Sequence, residues 1–136
     1  MTEVADTNQH YDLDPEVFGE FLDPLRKYSS GRYLTDTDTL EQAQRHKLRF
    51  VAGRLRLSGG ERVLDAGCGW GSLVLFMAEE FACQTVGVSP APRQHEYIAG
   101  AAPARGGADR VGADGAPVAQ LGQPPRTMDA RAIRGA

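Results

Sequence analysis

Val63-Leu-Asp-Ala-Gly-Cys-Gly-Trp-Gly71 decides how this chain is read. A short apolar strand runs into an acid, Asp65, and then into glycines at every second position, Gly67, Gly69 and Gly71. A strand that turns at once into a helix needs backbone angles that side chains resist. A ligand that approaches that backbone needs the space a Cβ takes up. The stretch is therefore read as a nucleotide-cofactor loop, with Val63, Leu64, Asp65, Ala66, Gly67, Cys68, Gly69, Trp70 and Gly71 as cofactor-binding positions. A plain tight strand-to-helix connection is the competing reading, and three alternating glycines weigh against it. Within the loop, Cys68 is expected to pack rather than react, because no base partner is visible. Trp70 is expected to pack locally rather than stack on a substrate.

The flanking sequence supports a strand–helix–strand unit. Arg62 to Ala66 predicts a buried strand, and Gly71 to Phe81 a helix with Leu73, Phe76 and Met77 on one side. Gln84 to Val88 predicts a second strand, parallel to the first with a right-handed crossover. Pro90 and Pro92 open a further helix whose first turns are Arg93 to Ile98. Upstream, Thr39 and Gln42 form a capping-box pattern that starts a helix over Thr39 to Leu57. Ser58, Gly59 and Gly60 end it, and Gly59 or Gly60 is expected to take the left-handed cap. Pro15 to Leu22 predicts a short helix capped by Asp14, with Phe18, Phe21 and Leu22 on one face.

Composition bounds the function. The 136 residues suit one domain, and 41% hydrophobic residues can build a core. A net charge of -3 offers nucleic acid no electrostatic footprint. Residues 1 to 25 hold no Lys or Arg, unlike a secretory or mitochondrial leader. The two cysteines, Cys68 and Cys83, lack metal-ligand or CxxC spacing, which fits a reduced, cytoplasmic chain with no metal. His10, His46 and His95 show no ligand geometry. Residues 99–136 differ in kind: 27 of the 38 are Ala, Gly, Arg or Pro, and none is aromatic. Such a stretch buries little apolar surface and is expected to be disordered or weakly helical.

The loop admits two cofactor types. A dinucleotide site wants G-x-G-x-x-G, but Ser72 stands where its third glycine belongs. The second strand ends Gly87-Val88-Ser89 without the acid that usually binds a ribose. Asp65 two residues before a G-x-G-x-G run is the loop form of S-adenosylmethionine (SAM) methyltransferases. That cofactor carries a zwitterionic methionine end rather than a pyrophosphate.

Several segments taken together resemble one family, the cyclopropane-fatty-acyl-phospholipid synthases and mycolic acid cyclopropane synthases. His10-Tyr11-Asp12 with Phe21-Leu22-Asp23 resembles its HYD and FLD segments, and Tyr28-Ser29-Ser30 its Tyr-Ser-Cys turn. Thr39 to Gln44 resembles TLEEAQ, with Gln42 for the second Glu. Gly87-Val88-Ser89 and Gln94 resemble the stretch after its second strand. The resemblance covers residues 10–98 and implies an α/β fold: N-terminal helices plus the first βαβ part of a Rossmann-like SAM-dependent methyltransferase fold, truncated. It implies SAM as cofactor, with Tyr28 and Ser29 at its methionine end and Ser89 and Gln94 near its adenosine. It implies methyl(ene) transfer to an unsaturated lipid or other hydrophobic substrate, and with a lipid a peripheral membrane contact. There an alkene carbon attacks the sulfonium methyl, and proton loss to a bound base closes a cyclopropane or leaves a methyl branch. Ser30 stands where the family often carries a Cys that helps hold a bicarbonate-like base, so no catalytic residue carries over.

Four segments are expected: a flexible N-terminus over 1–10, a helical lid over 11–60, a partial SAM-binding βαβ unit over 61–98 and a low-complexity tail over 99–136. The abrupt change after Ile98 has the composition of a shifted reading frame in a GC-rich gene. A truncated or frame-shifted inactive fragment, or a weak SAM-binding interaction module, are the alternatives to an enzyme. The sequence specifies no oligomeric state.

Overall fold

A computed structural model describes residues 13–107, 109–114 and 131–134. In chain order these form α1 (Pro15–Gly19), α2 (Leu40–Arg54), β1 (Arg62–Ala66), α3 (Ser72–Phe81), β2 (Gln84–Val88), α4 (Pro92–Ala104), β3 (Val111–Asp114) and β4 (Arg131–Arg134). The strands make one sheet of order β3-β2-β1-β4. Every pairing is parallel: Asp65 lies opposite Gly87 on β2 and Ile133 on β4, and Val88 opposite Asp114 on β3.

The local signals act as expected around the glycine loop. Thr39 accepts the Gln42 amide at 3.2 Å while the Gln42 side chain accepts the Thr39 amide at 2.8 Å, so α2 starts with a full capping box. Asp14 caps α1 by accepting from the Glu16 amide at 3.0 Å. That helix is shorter than the periodicity predicts: the chain turns after Gly19, and Phe21 is left exposed. α2 also ends differently. Arg56, with φ 55°, takes the left-handed position instead of Gly59 or Gly60, and the Leu57 amide closes back on the Ala52 carbonyl at 3.0 Å. Gly59 and Gly60 serve the next turn, where the Glu61 carboxylate accepts from Ser58 and Gly59 and leads the chain into β1.

α3 is buried along Ser72 to Ala78 and forms the centre of the core. Leu73, Phe76 and Met77 pack with Leu48 and Ala52 of α2, Val63 of β1, Leu25 and Cys83. Val74 and Leu75 pack with Cys68 and with Ile98 and Ala102 of α4. The Thr85 hydroxyl, buried on β2, donates to the Val74 carbonyl at 3.2 Å and ties helix to sheet.

Regular structure continues beyond residue 98, into the stretch expected to be disordered or weakly helical. α4 runs on to Ala104, Arg105 bonds Glu79 of α3 at 2.6 and 3.0 Å, and β3 and β4 extend the sheet on both sides. Backbone pairing needs no apolar side chain, so a Gly/Ala-rich segment joins a sheet edge without a hydrophobic signal. The expected flexible N-terminus, the His10-Tyr11-Asp12 segment and half of the 99–136 tail lie outside the described residues.

The tightest point is Gly71. It has φ 78°, and a Cβ there would lie 2.5 Å from Cγ1 of Ile98. Gly71→Ala is expected to cost about 2–4 kcal/mol, from left-handed strain and from overpacking. Gly60→Ala, at φ 82° with open space around it, is expected to cost only the strain, about 1–2 kcal/mol. Urea midpoints of the two variants check this; equal losses would contradict it.

Candidate cofactor-binding site

The loop lies at the C-terminal end of β1, where an open parallel sheet binds its ligands. The amides of Gly67 and Cys68 both donate to the Val88 carbonyl, at 2.9 and 3.0 Å. These two bonds hold the β1 exit against the β2 exit. Gly67 and Gly69 have φ of 88° and 55°, and a Cβ on either would meet no atom within 4 Å. The loop therefore presents bare backbone to open space. Gly71, by contrast, is a packing glycine, closed off by Ile98.

Asp65 sits just below this ledge, 1% exposed, and neither carboxylate oxygen has a hydrogen-bond partner among the described residues. Burial pushes its pKa up to about 6, opposed by the cation of Lys27. An unpaired buried carboxylate is a standing cost unless something meets it. Cys68 is buried beside it, its thiol pushed up to about 12 by burial and then by the Asp65 charge. It stays a thiol at neutral pH, as the packing reading expects. Its side chain fills the space beside Gly87, where a Cβ would come within 2.8 Å of the sulfur. Val63 lies in the core against α3, Leu64 is half-buried and Ala66 is buried at the strand end.

Trp70 is 2% exposed, with its ring 5.0 Å from Phe18 and edge-on to Tyr97 at 5.5 Å. It anchors α1 over the loop, which agrees with the packing role. Its indole N–H has no partner among the described residues. Arg26 closes the same cluster, with its guanidinium 4.5 Å above the Tyr97 ring.

Tyr28 and Ser29 come from the segment after α1. Tyr28 is 58% exposed and meets Phe18 and Phe21 edge-on. The Ser29 carbonyl accepts from Nε2 of Gln44 at 2.6 Å, and its hydroxyl accepts from Nζ of Lys47 at 2.7 Å. Ser89 and Gln94, across β2, are both buried. The Ser89 hydroxyl donates to Oε1 of Gln94 and accepts from the Ala91 amide at 3.2 Å, so in this structure it shapes the turn into α4.

Sequence patterns did not single out Lys27 or Lys47. A buried lysine in a loop has no period, and a lysine on a helix reads as a solvated one. Among the described residues no group of His, Cys, Asp and Glu could hold a metal ion.

A parallel sheet of this order, a bare glycine ledge at the end of its first strand and a buried acid beneath it define a Rossmann-like cofactor domain, and its structural neighbours are SAM-dependent methyltransferases. The chain belongs to the mycolic acid cyclopropane synthetase family, whose family model matches residues 1–123. It is 43% identical over 88 residues to the cyclopropane-fatty-acyl-phospholipid synthase of Escherichia coli K12, covering 65% of this chain and 23% of that one. It is 40% identical over 94 residues to the methoxy mycolic acid synthase MmaA3 of Mycobacterium tuberculosis, covering 69% of this chain and 32% of that one. The chain thus spans about a quarter to a third of the length of these relatives. The cyclopropane synthase MmaA2 of M. tuberculosis superposes with a TM-score of 0.81 at 29% identity, over 90% of this chain and 43% of that one. The mycolic acid cyclopropane synthase CmaA1, complexed with SAH and CTAB, superposes with a TM-score of 0.81 at 30% identity, over the same shares, 90% and 43%.

The raised Asp65 pKa has a thermodynamic consequence. Between an ordinary 3.8 and about 6 the folded chain holds a proton that the unfolded chain releases, so stability falls as pH rises through that window. Asp65→Asn is expected to raise stability at pH 7.5, by up to about 3 kcal/mol. The gain should shrink to nothing as pH falls to 3.8. Urea unfolding of both proteins between pH 4 and 7.5 tests this; a gain independent of pH would contradict it.

Proposed function

We propose that this chain binds SAM and supplies the cofactor-binding part of a methyltransferase of the cyclopropane-fatty-acid-synthase type. The observation that carries the reading is the bare ledge of Gly67 and Gly69 above a buried, unpartnered Asp65. The residues fit the cofactor: the ledge admits its backbone approach, and the carboxylate suits the ammonium of its methionine end. Tyr28 and Ser29 lie on the lid side of this end, and Ser89 and Gln94 on the adenosine side. When bound, SAM supplies an electrophilic methyl group. This chain's residues orient it: the glycine loop fixes its position, Asp65 its amino end, and the Phe18–Trp70–Tyr97 cluster excludes water beside it.

The acceptor is proposed to be an unsaturated lipid or another hydrophobic molecule. Support comes from the family and from CmaA1, whose structure holds the long-chain amphiphile CTAB. Lipid acceptors imply peripheral contact with a membrane surface; among the described residues no helix is long and apolar enough to cross one.

Calorimetric titration of the chain with S-adenosylhomocysteine is expected to show saturable binding at one site. The emission of Trp70, the only tryptophan, should change in parallel. Gly69→Ala should weaken binding at least about tenfold, because its Cβ enters the ligand's space. Binding without methyl transfer to an unsaturated phospholipid would favour the weak SAM-binding module. Absence of both heat and emission change would favour the inactive fragment and overturn the cofactor reading.

A further inference from the structure

The Tyr28-Ser29-Ser30 turn is fastened to one face of α2. Gln44 and Lys47 stand three residues apart on that helix, so their side chains share a face. Nε2 of Gln44 donates to the Ser29 carbonyl at 2.6 Å. Nζ of Lys47 donates to the Ser29 hydroxyl at 2.7 Å and to the Ser30 carbonyl at 2.8 Å. The next two residues continue the contact. A Cβ on Gly31 would come within 2.7 Å of Cβ of Ala43, and the Arg32 amide donates to the Ala43 carbonyl at 2.9 Å. α2 is itself anchored in the core, where Leu48 and Ala52 pack with Leu73, Phe76 and Met77 of α3. The turn reaches the glycine loop through rings: Tyr28 lies 5.8 Å from Phe18, and Phe18 lies 5.0 Å from Trp70.

The direction of these bonds fixes what Ser29 can offer. A lysine ammonium has only protons to give, so the Ser29 hydroxyl accepts from Lys47. Its own single proton is then left for an acceptor elsewhere. Gln44 is placed at a cost: it is 1% exposed, and its Oε1 has no hydrogen-bond partner among the described residues. A buried amide satisfied at one end only adds little to stability, but it does fix a carbonyl. Two side chains of α2 thus set the place of the Ser29 backbone and the polarity of its hydroxyl, and the Tyr28 ring is carried on the same turn.

We propose that Gln44 and Lys47 are positioning residues for the cofactor: Gln44 holds the Ser29 backbone in place, and Lys47 makes the Ser29 hydroxyl a hydrogen-bond donor toward the ligand. This rests on the cofactor reading, with Ser29 as a contact in it. It adds two residues of α2 that act through Ser29 and do not touch the ligand themselves.

A double-mutant cycle on S-adenosylhomocysteine affinity, measured by calorimetry on the full chain, tests this. Ser29→Ala is expected to weaken binding about tenfold, the contribution of one hydrogen bond, and Lys47→Met about threefold to tenfold. In the Ser29→Ala background Lys47→Met should weaken it by less than about twofold, because the hydroxyl it orients is gone. Lys47→Arg keeps a donor and should restore most of the affinity. Gln44→Met should weaken binding about threefold to tenfold in both backgrounds, because the Ser29 carbonyl is present in each. Lys47→Gln and Gln44→Leu stand in for either Met variant that urea unfolding shows to be unfolded. Lys47→Met or Gln44→Met with wild-type affinity overturns the proposal. Equal weakening by Lys47→Met in the two backgrounds also overturns it, because a general effect on the fold or the field does not pass through the hydroxyl. Ser29→Ala with wild-type affinity overturns it and leaves the cofactor reading standing. Wild-type protein that binds no S-adenosylhomocysteine overturns the cofactor reading itself, and this assignment with it.

Discussion

The structure depends on one constraint: the chain must leave β1 and enter α3 through three left-handed residues in five. Only a backbone without Cβ makes that turn cheaply. Because it is made, α3 lies close against the sheet, Gly71 comes within contact of Ile98, and α4 is seated beside α3. The turn also delivers the amides of Gly67 and Cys68 to the Val88 carbonyl, which locks the ends of β1 and β2 side by side. The same geometry that packs the core thus leaves two glycines bare at the sheet's C-terminal edge. Packing and ligand ledge are two sides of one turn.

Beneath that ledge the chain carries an electrostatic load a simple core would avoid. Asp65, Lys27, Asp23 and Gln44 are all buried, and Lys47 is half-buried. Asp23 and Nε2 of Gln44 hold the segment after α1, through the amides of Leu25 and Lys27 and the Ser29 carbonyl. Asp65 is not used this way. A polar group kept buried and unsatisfied lowers stability, and such groups concentrate where a ligand completes them. Trp70 of the same loop joins α1 to α4 through its ring contacts with Phe18 and Tyr97.

Much of this was legible in the residues because its physics is local. The bounds of β1 and β2 follow from short apolar runs closed by glycine or proline, α2 from its capping box, and α4 from Pro92 at its first position. The reading of the loop as a cofactor turn follows from its glycine spacing, and the SAM form of that reading from Asp65 and the acid-free end of β2. What could not be read depends on distant partners. Phe21 has the period of a buried face yet is exposed, because α1 stops at Gly19. Arg56 takes a left-handed angle although two glycines follow it, because the Leu57 amide must reach Ala52. β3 and β4 are held by backbone pairing to β2 and β1, which leaves no trace in apolar periodicity. Lys27 reads as a surface lysine in a polar loop, yet it is buried.

The central claim is that the glycine loop above Asp65 receives the methionine end of SAM. The most direct measurement is the set of backbone amide shifts in a nuclear magnetic resonance titration with S-adenosylhomocysteine. Saturable shifts concentrated at Gly67, Gly69, Trp70 and the Lys27-Tyr28-Ser29 segment are the expected result. Shifts confined to other elements, or a loop unchanged at saturating ligand, would contradict it.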